Sequence, residues 1–122
     1  MIRVIAEGLV KHYGRVAAVD HASLRLPPGE LTCLLGPPGA GKTTFARLLA
    51  GLETPEDGEI YLGDRMVQAT PAAERGVGVV FRDHALWPAL TVRENVAYPL
   101  KARGVPARER RRRVDESLAA LR

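Results

Sequence analysis

The residues Gly36-Pro37-Pro38-Gly39-Ala40-Gly41-Lys42-Thr43 follow the spacing G-x-x-x-x-G-K-[ST], and the chemistry of that spacing is phosphate binding. Glycines let the backbone curl until successive N–H groups point at phosphate oxygens. Lys42 adds a mobile cation able to reach β- and γ-phosphates, and the Thr43 hydroxyl suits a magnesium ion. The expected ligand is ATP with Mg2+. A glycine-rich turn that merely precedes a helix would carry the same letters, but here an apolar strand leads in and an amphipathic helix leads out.

The elements that must hold this loop are legible on either side of it. Leu31-Thr32-Cys33-Leu34-Leu35 is almost wholly apolar, as a strand covered on both faces would be. Lys42 to Ala50 reads as a helix whose Phe45, Leu48 and Leu49 form one buried stripe, with Gly51 placed to end it. The helix dipole and its free N–H groups then face the anion. Further out, Ile2 to Val10 and Ala18 to Leu26 read as strands, and Glu59 to Val67, broken by Gly63-Asp64, reads as a hairpin. Val77 to Phe81 is a second short apolar strand. Thr91-Val92-Arg93-Glu94 has capping-box spacing and opens a helix towards Lys101 or Arg103, which Pro99 should kink or shorten. After Gly104-Val105-Pro106 a last helix puts Val114, Leu118 and Leu121 on one face.

At 122 residues the chain amounts to one small domain, and 46% hydrophobic with 26% charged residues is a balance able to bury a core. Its apolar runs are too short to cross a bilayer, and no secretory signal opens it, so a cytoplasmic chain is expected. The single cysteine, Cys33, excludes an internal disulfide and reads as a buried thiol among leucines. The net charge of +4 gathers at Arg108 and Arg110 to Arg113. Glu109 with Arg113, Arg111 with Asp115 and Arg112 with Glu116 stand four apart on a helix, which favours a solvated, locally neutralised face over a nucleic-acid grip. The pattern runs to Arg122 without a cap, as if the chain were cut there.

Several stretches together resemble the ATPase subunit of ATP-binding cassette (ABC) transporters, nearest to importers of the maltose, polyamine and ferric-ion kinds. They are Leu9-Val10-Lys11-His12-Tyr13-Gly14, the phosphate loop, Gly51 to Pro55, Asp57-Gly58-Glu59-Ile60, Glu74 to Phe81 and Ala85 to Val96. The resemblance implies an α/β fold: a P-loop core with an N-terminal antiparallel β subdomain, an incomplete sheet and the beginning of a helical subdomain. It divides the chain into an adenine-side region (1–35), the loop and its helix (36–51), a hairpin, strand and Q-loop-like region (52–90) and the start of the helical subdomain (91–122), all within the N-terminal part of one ATP-binding domain. It also implies that Tyr13 stacks on adenine, that Gly39, Ala40, Gly41, Lys42, Thr43 and Thr44 hold phosphates, and that Ala85 to Leu90 lies near a membrane permease. A second ATPase copy would complete the site, at the inner face of the membrane, with no nucleic acid involved.

Arg82 departs from the family pattern, which has glutamine in that position. A guanidinium has only donors and a permanent charge, so it neither ligates magnesium nor accepts from water. Three function classes follow: the ATP-binding part of a transport ATPase, a nucleotide-binding module without hydrolysis, and a nucleic-acid-associated ATPase. The resemblance puts the signature sequence, the acid that follows it, the general base and the switch histidine beyond Arg122. His12, His21 and His84 read as surface or partly packed residues.

Overall fold

The computed structural model describes residues 2–121. The chain forms two compact units, one reaching to Val79 and one beginning at Val80.

In the first unit a four-stranded antiparallel sheet has the order β2-β1-β3-β4, built from β1 (Val4–Tyr13), β2 (Val16–Leu26), β3 (Asp57–Leu62) and β4 (Arg65–Met66). The β1–β2 hairpin is longer than its sequence suggests, because the pairing continues past Val10 to Tyr13 opposite Val16. Gly14, at φ 60°, supplies the left-handed backbone that so short a turn needs. Helix α1 (Lys42–Ala50) packs on the sheet through Phe45 and Leu48, which join Ala6, Leu9, Val19, Ile60, Leu62 and Val67 in the core, with Leu49 half-buried beside them. Gly51 closes α1 at φ 79°, its N–H donating to Leu48 O while Leu52 N–H donates to Arg47 O. This pair of bonds is the Schellman ending that glycine favours. Helix α2 (Ala72–Arg75) is a single turn.

In the second unit α3 (Val92–Ala102) and α4 (Ala107–Ala119) follow one another. Thr91 Oγ1 accepts from Glu94 N–H and Glu94 returns a bond to Thr91 N–H, the capping box expected at this point. Pro99 lies inside α3, which ends at Ala102, within the span expected from the sequence. The missing N–H costs one hydrogen bond near the C-terminal end. The exit is then fixed by Val105 N–H on Leu100 O and Gly104 N–H on Lys101 O. Val114 is buried, whereas Leu121 is 82% exposed.

Several expectations fail, among them the buried Cys33 thiol. Leu31 to Leu35 and Val77 to Phe81 are not strands: Leu31, Leu35 and Val80 are 95%, 87% and 93% exposed, and Cys33 is exposed with its neighbours. An apolar run becomes a strand only when neighbours offer a ladder, and no described residue pairs with either segment. On α4 the Glu109–Arg113 and Arg112–Glu116 pairs form, but Asp115 turns to Arg93 on α3 in place of Arg111.

Candidate functional site

The phosphate loop enters α1 through Gly41, whose φ of 79° belongs to the left-handed region. A Cβ at Gly41 would collide with the carbonyl oxygen of Ala18 in β2, so the loop rests directly on that strand's backbone. Gly39, at φ 83°, faces open space, and Ala40 N–H donates to Pro37 O at 3.2 Å to tighten the bend. Gly41 has no side chain to cap the helix and the first turn carries no acid, so the leading N–H groups of α1 are left for an anion from outside.

Lys42 is half-buried, and its Nζ donates to Gly36 O and Pro37 O at 2.7 Å each. The cation is thus held over the mouth of the loop, where a phosphate oxygen can replace either carbonyl. Thr43 is exposed and Thr44 half-buried in the first turn, while Pro38 is exposed at the loop's tip. A cavity of about 420 Å³ adjoins the loop, bounded by Gly39, Gly41 and Lys42 on one side and by Ala18, Leu35 and Phe45 on others.

Tyr13 stands at the end of β1, 46% exposed, with Lys11 Nζ 5.8 Å from its ring centroid. Its ladder partner Val16 precedes Ala18 by two residues on β2. The aromatic platform and the floor of the loop are therefore separated by roughly 7 Å of strand. Beside Tyr13, His12 donates its backbone N–H to Glu56 Oε1 at 3.1 Å, and its Nδ1 lies 2.8 Å from Oε2. These His12 bonds hold the Glu56 carboxyl below its ordinary value.

The chemistry of this set fits a nucleotide with magnesium. Phosphate oxygens and water would supply most ligands of an octahedral magnesium ion, and the Thr43 hydroxyl is a protein oxygen that would join them. Among the described residues no group of three or more His, Cys, Asp or Glu could hold a metal by itself.

A family model described as ABC transporter matches residues 19–122. The chain belongs to that family. It is 44% identical over 118 residues to an Fe(3+) ions import ATP-binding protein of Rhizobium meliloti, covering 97% of this chain and 33% of that one. It is 41% identical over 121 residues to an sn-glycerol-3-phosphate import ATP-binding protein of Ruegeria pomeroyi, covering 99% of this chain and 34% of that one. The chain thus spans about a third of the length of these curated relatives. Among solved structures it is similar to a dimeric bacterial ABC transporter cassette, with a TM-score of 0.83, 27% identity, and coverage of 95% of this chain and 56% of that one. A cassette in a post-hydrolysis state bound to ADP and Pi gives a TM-score of 0.81 at 28% identity, with the same coverage of both chains.

Two residues complete the account of the ABC chain. Arg82 lies exposed in the turn over residues 82–85, in the second unit, followed by His84 and Ala85 at φ 62° and 46°. Arg75, which sequence reasoning missed, is buried at the other end of α1. Its Nη1 donates to Leu48 O and Leu49 O, its Nε to Thr70 O and its Nη2 to Gln68 O. Burial lowers its pKa from the ordinary value. Arg75 sits in Glu74-Arg75-Gly76, a stretch used only for family likeness. A sequence signal for burial is lacking, because the carbonyls that receive the guanidinium are scattered from residue 48 to residue 70.

Proposed function

We propose that this chain is the nucleotide-binding part of an importer ATPase, in which ATP hydrolysis by the whole protein drives a solute through a membrane permease. The observation that carries the reading is the seat of the phosphate loop: Gly41 against Ala18 O, with the open N–H groups of α1 and Lys42 Nζ converging on one mouth.

In this reading Tyr13 stacks on adenine. Gly36, Pro38, Gly39, Ala40, Gly41, Lys42, Thr43 and Thr44 surround the phosphates, and Thr43 ligates Mg2+. The region 1–35 forms the adenine side, 36–51 the loop and helix, 52–90 the hairpin and Q-loop-like turn, and 91–122 the opening of the helical subdomain. In this reading the chain's contribution is nucleotide binding.

Import is favoured by the relatives' names, which describe ferric-ion and glycerol-phosphate import. A second ATPase copy is favoured by the dimeric cassettes. No described helix is long and apolar enough to cross a membrane. In this reading the chain lies at the cytoplasmic face of the membrane, beside permease subunits that meet the exposed Leu86 and Trp87.

The test is a titration of ATP, with and without magnesium, into wild type, Lys42→Ala and Arg82→Gln. Lys42→Ala is expected to weaken binding by roughly a hundredfold, the value of about two charge-assisted hydrogen bonds. Undiminished binding would overturn the assignment. Arg82→Gln is expected to leave affinity within about threefold and to raise hydrolysis in the whole protein, since glutamine supplies the acceptor that arginine lacks.

A further inference from the structure

We propose that Arg75 is a positioning residue of the phosphate site: by holding the last carbonyls of α1 it sets where the first turn of that helix, with Lys42 and Thr43, meets a nucleotide. The inference rests on the nucleotide reading above.

Arg75 is 7% exposed, and among the described residues every hydrogen bond it makes goes to a main-chain carbonyl. A buried guanidinium is costly unless its donors are satisfied. Here Leu48 O and Leu49 O supply part of that satisfaction from the negative end of the α1 dipole, and Gln68 O and Thr70 O supply the rest from the chain leading into α2. The arginine therefore joins the end of the helix to a segment remote in sequence, through a planar group whose geometry fixes direction as well as distance.

Gly51 makes the seat possible. A Cβ there would stand 2.5 Å from Arg75 Nε and 2.8 Å from Cζ, closer than atoms can approach. The glycine that ends α1 is thus required twice, for its left-handed φ of 79° and for the space it leaves. Helix α1 has nine residues, so a tilt imposed at Gly51 reaches the phosphate end roughly 13 Å away through a rigid rod.

A residue that only fills the core would alter stability without altering which part of a nucleotide is gripped. The affinities of ATP and AMP are therefore compared in the purified protein, wild type and variants, at a temperature where circular dichroism shows each folded. Arg75→Met is expected to weaken ATP by roughly tenfold while AMP changes less than about twofold, and Arg75→Lys to recover part of the loss. Gly51→Ala, which keeps the charge but displaces the guanidinium, is expected to show the same selective loss. Should Arg75→Met fail to fold, Arg75→Lys and Gly51→Ala carry the comparison. Folded variants with an unchanged ratio of ATP to AMP affinity, or with both affinities falling together, would overturn the proposal. A wild type that does not prefer ATP to AMP would instead remove the phosphate-site reading, and this inference with it.

Discussion

The carbonyl oxygen of Ala18 occupies the space that a Cβ on Gly41 would need, so β2 and the phosphate loop meet backbone to backbone. A side chain at Gly41 must push them apart. Gly41→Ala is expected to cost about 2–4 kcal/mol, the sum of a left-handed alanine and an overpacked contact, and to weaken ATP binding. Gly39→Ala, also left-handed but facing open space, should cost only about 1 kcal/mol. Denaturant melts of the two variants check the difference, and equal losses would contradict the close approach.

Tyr13 offers a ring at the end of β1 with nearly half its surface free. Tyr13→Ala is expected to weaken ATP by about 1–2 kcal/mol of lost stacking, whereas Tyr13→Phe keeps the ring and should bind as wild type. Inorganic triphosphate lacks a base, so its affinity should not change in either variant. Calorimetric titration of both ligands separates these outcomes.

The capping box at Thr91 and Glu94 determines where α3 begins. Thr91→Ala should lower stability by about 1 kcal/mol and Thr91→Ser should be nearly neutral, because serine keeps the accepting oxygen. Amide exchange across residues 92–96 measures the fraying directly, and protection that survives Thr91→Ala would count against the cap.

Glu109 accepts hydrogen bonds from Arg112 and Arg113, and these hold its carboxyl at about 2, against an ordinary 4.5. A folded value below the unfolded one means that the contribution is fully present above pH 4.5 and is lost as the pH falls towards 2. Thermal melts of wild type should therefore lose ground over Glu109→Gln only within that acid window. An NMR titration showing Glu109 at its ordinary value would remove the basis for it.

The sequence was most readable where a single segment carries its own signal. The capping box, the Phe45 and Leu48 stripe and the Gly51 ending need only residues three or four apart, and each stands where expected. Leu31 to Leu35 and Val77 to Phe81 were misread because an apolar run states a preference for burial, while a strand also requires a partner. The end of α3 at Ala102 falls inside the span expected from the sequence, because one hydrogen bond lost at Pro99 close to a well-capped exit leaves the last turn in place. The phosphate loop was legible as a motif, but its bed on Ala18 was not, and neither was Arg75. Both depend on backbone atoms brought together from distant parts of the chain.

Trp87, the only tryptophan in the chain, packs tilted against Tyr98 with ring centroids 4.0 Å apart. The protein thus carries a built-in optical probe confined to the unit that begins at Val80, while Tyr13 and the phosphate loop belong to the other. Emission from Trp87 during denaturation reports the melting of one unit, and release of a fluorescent nucleotide reports the other. Whether the two curves coincide measures directly how far the halves of this chain fold as one cooperative body.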